Sequence, residues 1–479
     1  MTGDNISFEL NGVTNVELLY TNPLGELKAI DVHPERYRGA VTKGKNVDGS
    51  SVNYVPVENS DIKLVLLEGT QRRCPWNPRT LQVYCDVMRG DGELKEMDGN
   101  PRYILRKQIE NAKYVMKSSA EMEGFAFWGV PEGEKLKDMN PVVRSRDLQN
   151  HVIDRLIEVR DTDGPDDKFK VLKEILISPR GRYGSPSPAD GTKYIRQSIY
   201  EMLDKLGWKW EYSHPEVGLD QIEFSMKYDD SLSMVDKIMQ ARRMIQDYAL
   251  QQGVVLSFMP KIFTDKIAGV NPNGSGCHAH ASLWEGGRNI FFDKGMPHNF
   301  SQEGVYAVGG ILGHMPALVS LGAWTPHSPK RLQPHVEAPT NVSWGYANRT
   351  TPVRIPNFRE PEEARIEFRP RDDFANFYGT DAMLHAAMEE GIGQKIKPPE
   401  PESRNVWNHD EEFESIPGTP RGLLDALGKD KLFHEVYGPA ADHYLELRQE
   451  EIELFERNTG SWDPKYITNW EFERYLVYV

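Results

Sequence analysis

Short apolar stretches broken by turn residues fill the first hundred positions. VELLYT, KAIDV, NYVPV, IKLVLL and LQVYCDV are separated by Gly, Pro, Asn and Asp, the pattern of strands joined by tight turns. Leu105, Ile109, Ala112 and Val115 then recur at helical spacing and predict a helix over LRKQIENAKYVMKSS. The change of pattern after Asp98-Gly-Asn-Pro101 divides the chain into a β-rich domain over 1–100 and a larger domain over 101–479. In the second domain strands alternate with longer helices, most clearly over 193–207, 230–252 and 302–320. The stripe Met234, Ile238, Ala241, Met244, Ile245 and Ala249 marks the core face of one of them. Residues 395–419 are Pro-rich and polar and read as a long loop, and the tail from 436 is helical again.

The polar positions inside the apolar strands carry the chemistry. Asn271 to Trp284 opens with a Gly-rich turn, whose glycines can take φ > 0 and admit a ligand close to the backbone. It then runs into a strand bearing His278 and His280, two apart and so on one face. The same period-two placement recurs at Glu121/Glu123, at Gln221/Glu223 with Glu216 just upstream, and at Glu367/Arg369. Any one pair also fits a half-buried strand showing its polar face to water; four pairs in one domain point to convergence.

Five carboxylates brought together would repel strongly, by roughly 3 kcal/mol for each pair about 6 Å apart at an effective dielectric of 20. Such a cluster needs cations or protons. Hard oxygen ligands with one neutral imidazole suit two divalent ions, Mg²⁺ or Mn²⁺ in preference to Zn²⁺. Arg331, Arg349 and Arg354 follow among Gly, Pro and aromatic residues, and Arg365 and Arg369 flank Glu367. Two ions, a Gly-rich loop and several arginines are the parts of a phosphoryl-transfer site.

Composition narrows the setting. The 57 basic and 72 acidic residues give a net charge of −15, which disfavours nucleic acid as a partner. Three cysteines without a C-x-x-C pair, and an N-terminus without a basic and apolar leader, fit a cytoplasmic protein. The uncharged run Ala307–Trp324 raises a membrane question. Its internal Gly, His and Pro residues favour a buried helix, so no membrane is expected as partner.

Taken in order, these motifs resemble the glutamine synthetase family, most closely its bacterial and archaeal type I branch, over about residues 45–470. The resemblance rests on Asp48-Gly-Ser-Ser51 with Ser60-Asp61, CPWNPRTLQVYCDV, Glu121-Met-Glu123, Glu216 with Gln221-Ile-Glu223, NGSGCHAHASL, KRLQPHVEAP, NRTTPVRIP and RIEFR. It implies an α+β chain with a small N-terminal β-grasp domain. A larger α/β catalytic domain follows, with an antiparallel sheet forming the active site. It further implies ATP-dependent joining of glutamate and ammonium through γ-glutamyl phosphate, with two or more Mg²⁺ or Mn²⁺ ions per site.

By that resemblance Glu123, Glu216 and Glu223 hold one ion and Glu121, His278 and Glu367 the second. Asn273, Gly274, Arg331, Arg349 and Arg369 bind glutamate, Arg349 also acting in catalysis. His280, Ser282, Arg354 and Arg365 bind ATP. Asp48 takes the ammonium proton in a neighbouring subunit's site, and Glu337 closes the ammonium pocket. The family also implies a homo-oligomer, commonly a dodecamer of two hexameric rings.

The chain departs from the family in several places. QPHVEAP stands for VPGYEAP, putting His335 and Val336 where Gly and Tyr are usual. SHPEV replaces HHEV, and DQIE replaces GQ-x-E. The stretch before the Gly loop is a few residues longer than usual. Glu362 and Glu363 occupy positions where basic residues are frequent, and RPRDDFANFY departs from the usual Asn-Pro-Tyr. No tyrosine lies between Tyr378 and Tyr437, where the regulated enzymes carry the one they adenylylate. Two enzymatic readings follow: a glutamine synthetase, or a γ-glutamyl-amide ligase using an alkylamine, polyamine or aromatic amine. Retention of every metal-ligand position argues against a third, non-catalytic reading.

Overall fold

The computed structural model describes residues 10–90, 94–334 and 337–478. Two sheets organise them. The first contains β1 (Asn15–Thr21), β2 (Leu27–Val32), β3 (Lys45–Asp48), β4 (Asp61–Leu66), β5 (Arg72–Cys74), β6 (Asn77–Arg89) and β7 (Lys95–Glu96). Its order is β2-β1-β6-β4-β3, with β5 and β7 also on β6, and only the β1–β6 pair is parallel. Alternate residues Val16, Leu18, Ile62, Leu64, Val83 and Val87 turn inward with Tyr37 to make a separate small core. Tyr37 sits on α1 (Pro34–Lys43), which the strand-rich pattern did not announce. Pro34 at its first turn and the His33 ring accepting from the Glu35 amide start it. NYVPV, expected as a strand, is instead turn and 3₁₀ structure. Asn53 has φ 64°, and Pro56 lacks the N–H a ladder requires.

The second sheet has ten strands in the order β15-β16-β17-β13-β8-β10-β9, with β11 and β12 on β8 and β14 on β13. These are β8 (Val115–Trp128), β9 (Trp210–Pro215), β10 (Gln221–Met226), β11 (Asp229–Asp230), β12 (Val254–Ser257) and β13 (Cys277–Glu285), then β14 (Arg288–Asn289), β15 (Trp344–Tyr346), β16 (Val353–Ile355) and β17 (Ile366–Phe368). Every pairing except β15–β16 is antiparallel. The helix predicted to reach Ser119 stops at Asn111: α2 is Pro101–Asn111, and VMKSS begins β8. Eight consecutive register pairs with β13, from Trp284↔Val115 to Cys277↔Met122, override the local helical spacing.

Helices α3 (Arg144–Asp161), α4 (Pro165–Leu172), α5 (Lys193–Lys205) and α6 (Ser231–Gln251) follow in the larger domain. The uncharged run is two helices, α7 (Gln302–Gly313) and α8 (Met315–Gly322), bent by 74° about His314. Both are largely buried, and among the described residues no single helix is long and apolar enough to cross a membrane. The chain continues through α9 (Phe377–Gln394), a loop over 395–419 with two 3₁₀ turns, α10 (Pro420–Lys429), α11 (Lys431–Tyr437), α12 (Ala441–Thr459) and α13 (Asn469–Tyr475). All three cysteines are buried and free.

Polar bonds tie the small sheet to the helices behind the large one. Arg102 donates to Asp86 on β6 and Asp236 on α6, both at 3.0 Å, and the Tyr378 hydroxyl donates to Asp236 at 2.6 Å. Glu471, wholly buried on α13, lies 2.7 Å from His327 Nδ1 and accepts from Lys330 at 2.9 Å. That fixes the turn from which Arg331 projects.

Candidate active site

Cross-strand partners share one side of a sheet, as do residues two apart on a strand. The register therefore builds the site in rows. His214 on β9 faces Glu223 on β10, which faces Glu123 on β8. One step along β8, Glu121 faces Ser225 on one side and His278 on the other. On the next row Ser119 faces His280, His280 faces Glu367, and Glu367 faces Arg354. Glu216 joins from the residue after β9, its backbone N–H bonded to the Gln221 carbonyl.

The donor atoms lie close together. His278 Nδ1 is 3.2 Å from Glu121 and 3.6 Å from Glu367, and its Nε2 is 3.9 Å from Glu123. His280 Nε2 is 3.1 Å from Glu121. His214 is 3.5 Å from both Glu216 and Glu223. Two triads have ligand atoms mutually within 4.8 Å: Glu121, His280 and Glu367, and His214, Glu216 and Glu223. Both triads include a histidine that the sequence reading did not place among the ion ligands. His214, two residues before Glu216 in SHPEV, offered only that spacing as a signal.

The Gly-rich turn works differently from its sequence expectation. Neither Gly274 nor Gly276 has a positive φ; each is required by close packing instead. A Cβ at Gly274 would stand 2.5 Å from the Pro260 carbonyl and 2.6 Å from Arg331 Cγ. At Gly276 it would stand 2.6 Å from the Arg331 guanidinium and 2.8 Å from His278 Nε2. The Gly276 amide donates to Glu123 at 2.8 Å, and the Gln221 amide spans Glu123 (3.2 Å) and the Gly274 carbonyl (3.0 Å). Arg331 donates to the carbonyls of Pro370 and Arg369, and Asn273 donates to Glu337 at 2.9 Å.

Charge in the cluster is uneven, and the neighbours explain why. Burial and the Glu223 charge raise Glu216 to about 7; burial with Glu121 and Glu123 raises Glu223 to about 9. Burial also raises Glu123. Glu367 is driven the other way, to about 2, because Arg369, helped by His280, outweighs its burial. Arg369 donates to it at 2.6 Å, and Arg354 donates to its other oxygen. His278 is pushed below its ordinary value, first by burial and then by Arg369, which leaves it the neutral imidazole a metal ligand must be.

Glu216 and Glu223, whose protons are retained through burial and the charge of neighbouring carboxylates, are what a buried cation site looks like without its cations, so the donor set fits divalent ions. Without ions the folded chain binds more protons here than the unfolded chain, whose carboxylates lose theirs near 4.5. Ion-free stability is therefore expected to fall as pH rises from about 4.5 through about 7 and 9. Ion binding must expel those protons, so affinity grows with pH. The melting-temperature gain on adding Mg²⁺ is expected to be larger at pH 8.5 than at pH 6; equal gains would place the ions elsewhere.

Two cavities open on the sheet face, and Glu121 lines both. The first, about 370 Å³, is lined by Glu121, Glu123, Glu216, Glu223 and His278 together with Asn273, Gly274, Arg331, Glu337, Arg349 and Arg369. The second, about 470 Å³, is lined by Ser119, Tyr212, His280, Ser282 and Arg365, among others. Arg365 donates to His280 Nδ1 at 3.1 Å, and Ser282 accepts from the Trp284 indole at 2.9 Å. Arg354 lines neither cavity and reaches the site through Glu367. Tyr183 and Trp407 line the first cavity from loops whose sequences gave no chemical signal.

Asp48 lines neither cavity of its own chain. It is exposed at the end of β3, accepts from the Ser50 amide (3.0 Å), the Ser50 hydroxyl (2.7 Å) and the Ser51 hydroxyl (2.5 Å), and is lowered by them to about 2. His335 and Val336, the altered tip of the expected flap, lie outside the described residues. Glu337 beside them has φ 57°.

Comparison with known proteins bears on the whole chain. Family models match residues 12–90 as the glutamine synthetase β-grasp domain and 98–475 as the glutamine synthetase catalytic domain. A Thermotoga maritima glutamine synthetase is 32% identical over 98% of this chain and 97% of its own. One from Methanocaldococcus jannaschii is 32% identical over 94% and 91%, and one from Thermus thermophilus 30% identical over 100% and 97%. Two solved structures of GmaS, one an ADP complex and one without ligand, superpose with a TM-score of 0.76 at 22% and 23% identity, each covering 98–99% of both chains.

Proposed function

This chain belongs to the glutamine synthetase family and is a glutamate ligase, and we propose that its acceptor is ammonia, so that it makes glutamine, ADP and phosphate from glutamate, ATP and ammonium. The observation that carries the reading is the pair of cavities meeting at Glu121. One is rich in arginine and carboxylate, the other flanks His280, Ser282 and Arg365, and a γ-phosphate crossing between them meets a γ-carboxylate at the shared residue.

In this reading Arg331, Arg369, Asn273 and Gly274 orient glutamate in the first cavity, while His280, Ser282, Arg354 and Arg365 hold ATP. Glu123, Glu216 and Glu223 would hold one Mg²⁺ or Mn²⁺ ion and Glu121, His278 and Glu367 another; when bound, the ions neutralise the phosphate charge. Arg349, exposed at the cavity wall, steadies the transferring phosphoryl group. A γ-carboxylate oxygen of glutamate attacks the γ-phosphorus, and ADP leaves. Ammonia then attacks the acyl carbon, and phosphate departs with that carboxylate oxygen.

Ammonium is protonated at neutral pH, so a base must strip its proton. Asp48 of a neighbouring subunit is assigned that task, consistent with its absence from its own chain's cavities. Glu337, joined to Asn273 across the cavity mouth, takes the proton released from the tetrahedral adduct and excludes water. Small charged substrates and a homo-oligomer follow from this assignment, a dodecamer of two hexameric rings being the form the family suggests.

One observation favours an organic amine instead. Trp407 lines the first cavity, its buried indole N–H has no partner among the described residues, and Tyr183 stands in the same wall. Against that, Glu337 brings a carboxylate into the same cavity, which suits a small cation.

The route is tested with glutamate carrying ¹⁸O in its γ-carboxylate. One labelled oxygen is expected in each phosphate released. Unlabelled phosphate would exclude an acyl-phosphate intermediate.

A further inference from the structure

We propose that Lys117 is a nucleotide-binding residue that holds the nucleoside end of ATP through acceptor atoms away from the reacting phosphate. The inference rests on the reading that the second cavity takes ATP.

Lys117, Ser119 and Glu121 are two apart on β8 and so share a face. Across the register they meet Ser282, His280 and His278 on β13. The face thus carries three successive rungs, each about 7 Å further along the strand. The rung of Glu121 and His278 belongs to the carboxylate cluster, where the reacting phosphate sits. The rung of Lys117 and Ser282 lies two steps out, in the second cavity, at the distance of the sugar and base.

The surroundings of Lys117 point to a ligand. Its ammonium stands 4.5 Å from the Trp284 ring centroid and 5.6 Å from that of Tyr228, a cation held against two aromatic rings and partly removed from water. Among the described residues it makes no ion pair with a carboxylate. Arg365, a second cation set into this wall, is already bonded to His280 and to the Glu363 carbonyl. Glu211, Glu362 and Glu363 line the same cavity. The 361–363 loop therefore presents carboxylates, which accept but do not donate, so a donor to the acceptor atoms of a sugar or base comes from β8. Lys227 also lines the cavity but is exposed.

The test compares Lys117→Met and Lys117→Arg with the unaltered enzyme. Calorimetry measures binding of ADP and of inorganic tripolyphosphate in the presence of Mg²⁺, alongside steady-state kinetics. Lys117→Met is expected to weaken ADP binding and raise the KM for ATP by about 10-fold, as for loss of one charge-assisted hydrogen bond. Tripolyphosphate affinity, kcat at saturating ATP and the KM for glutamate should stay within about 2-fold, and Lys117→Arg should recover most of the loss. ADP affinity unchanged in Lys117→Met, or an equal loss for tripolyphosphate, would overturn the assignment. Failure of the unaltered enzyme to bind ADP at all would instead overturn the nucleotide reading of the cavity, and this proposal with it.

Discussion

Glu367→Ala is expected to lower phosphate release by at least about 10³-fold with every amine, since the charge stabilisation at such a site amounts to several kcal/mol and each 1.36 kcal/mol is tenfold. Glu367 is wholly buried, bonded to Arg354 and Arg369, with His278 3.6 Å away. Alanine removes one ligand and also leaves two guanidinium groups facing each other without their counter-charge. Breaking a buried pair in that way costs about 3–5 kcal/mol, so some loss of melting temperature is expected too. Glu367→Gln keeps the shape and separates the two effects. It should remain better folded than the alanine variant yet be nearly as inactive, because a neutral amide cannot replace the carboxylate toward a cation. Substantial turnover in folded Glu367→Gln would remove this residue from the ion-binding role.

Asp48→Ala is expected to reduce kcat/KM for the acceptor by about 10²–10⁴-fold, the range for loss of a general base, while ATP binding changes little. Equal loss of both would take Asp48 out of the acceptor site. Its position outside both cavities of its own chain makes a second, sharper test available. Asp48→Ala and Glu367→Ala chains are each expected to be nearly inactive alone. If Asp48 serves a neighbour, mixed assemblies contain sites that draw an intact Asp48 from one chain and an intact Glu367 from the other. Random mixing would restore about one site in four. No recovery in demonstrably mixed assemblies would mean that the site is built within one chain.

What could be read from the sequence, and what could not, follows from how each residue reaches the site. Glu121, Glu123, Gln221, Glu223, His278 and His280 lie on long strands, where period-two placement already says that they share a face. Which carboxylate meets which histidine depends on register between strands far apart in sequence, and so could not be read locally. The grouping of His214 with Glu216 and Glu223 is of that kind. Tyr183 and Trp407 arrive from loops, where spacing carries no direction. Lys117 was hidden because its segment has helical spacing but is captured by β13. The glycines at 274 and 276 were recognised as necessary for the wrong reason: they make room for Arg331 and His278 rather than adopting a left-handed backbone. The uncharged run was rightly expected to be buried, but its break at His314 ahead of Pro316 divides it into two helices.

The choice of acceptor turns on a contest within one cavity. The carboxylate of Glu337 offers an acceptor to a small cation, whereas Trp407 and Tyr183 offer an apolar surface to something larger. Phosphate release from ATP, Mg²⁺ and glutamate, measured across ammonium, methylamine, ethanolamine, putrescine, isopropylamine and aniline, decides it most directly. The account predicts turnover with ammonium at millimolar or lower concentration and little with the others. An organic amine preferred by orders of magnitude would contradict it, and would make Trp407 and Tyr183 the walls of an amine pocket.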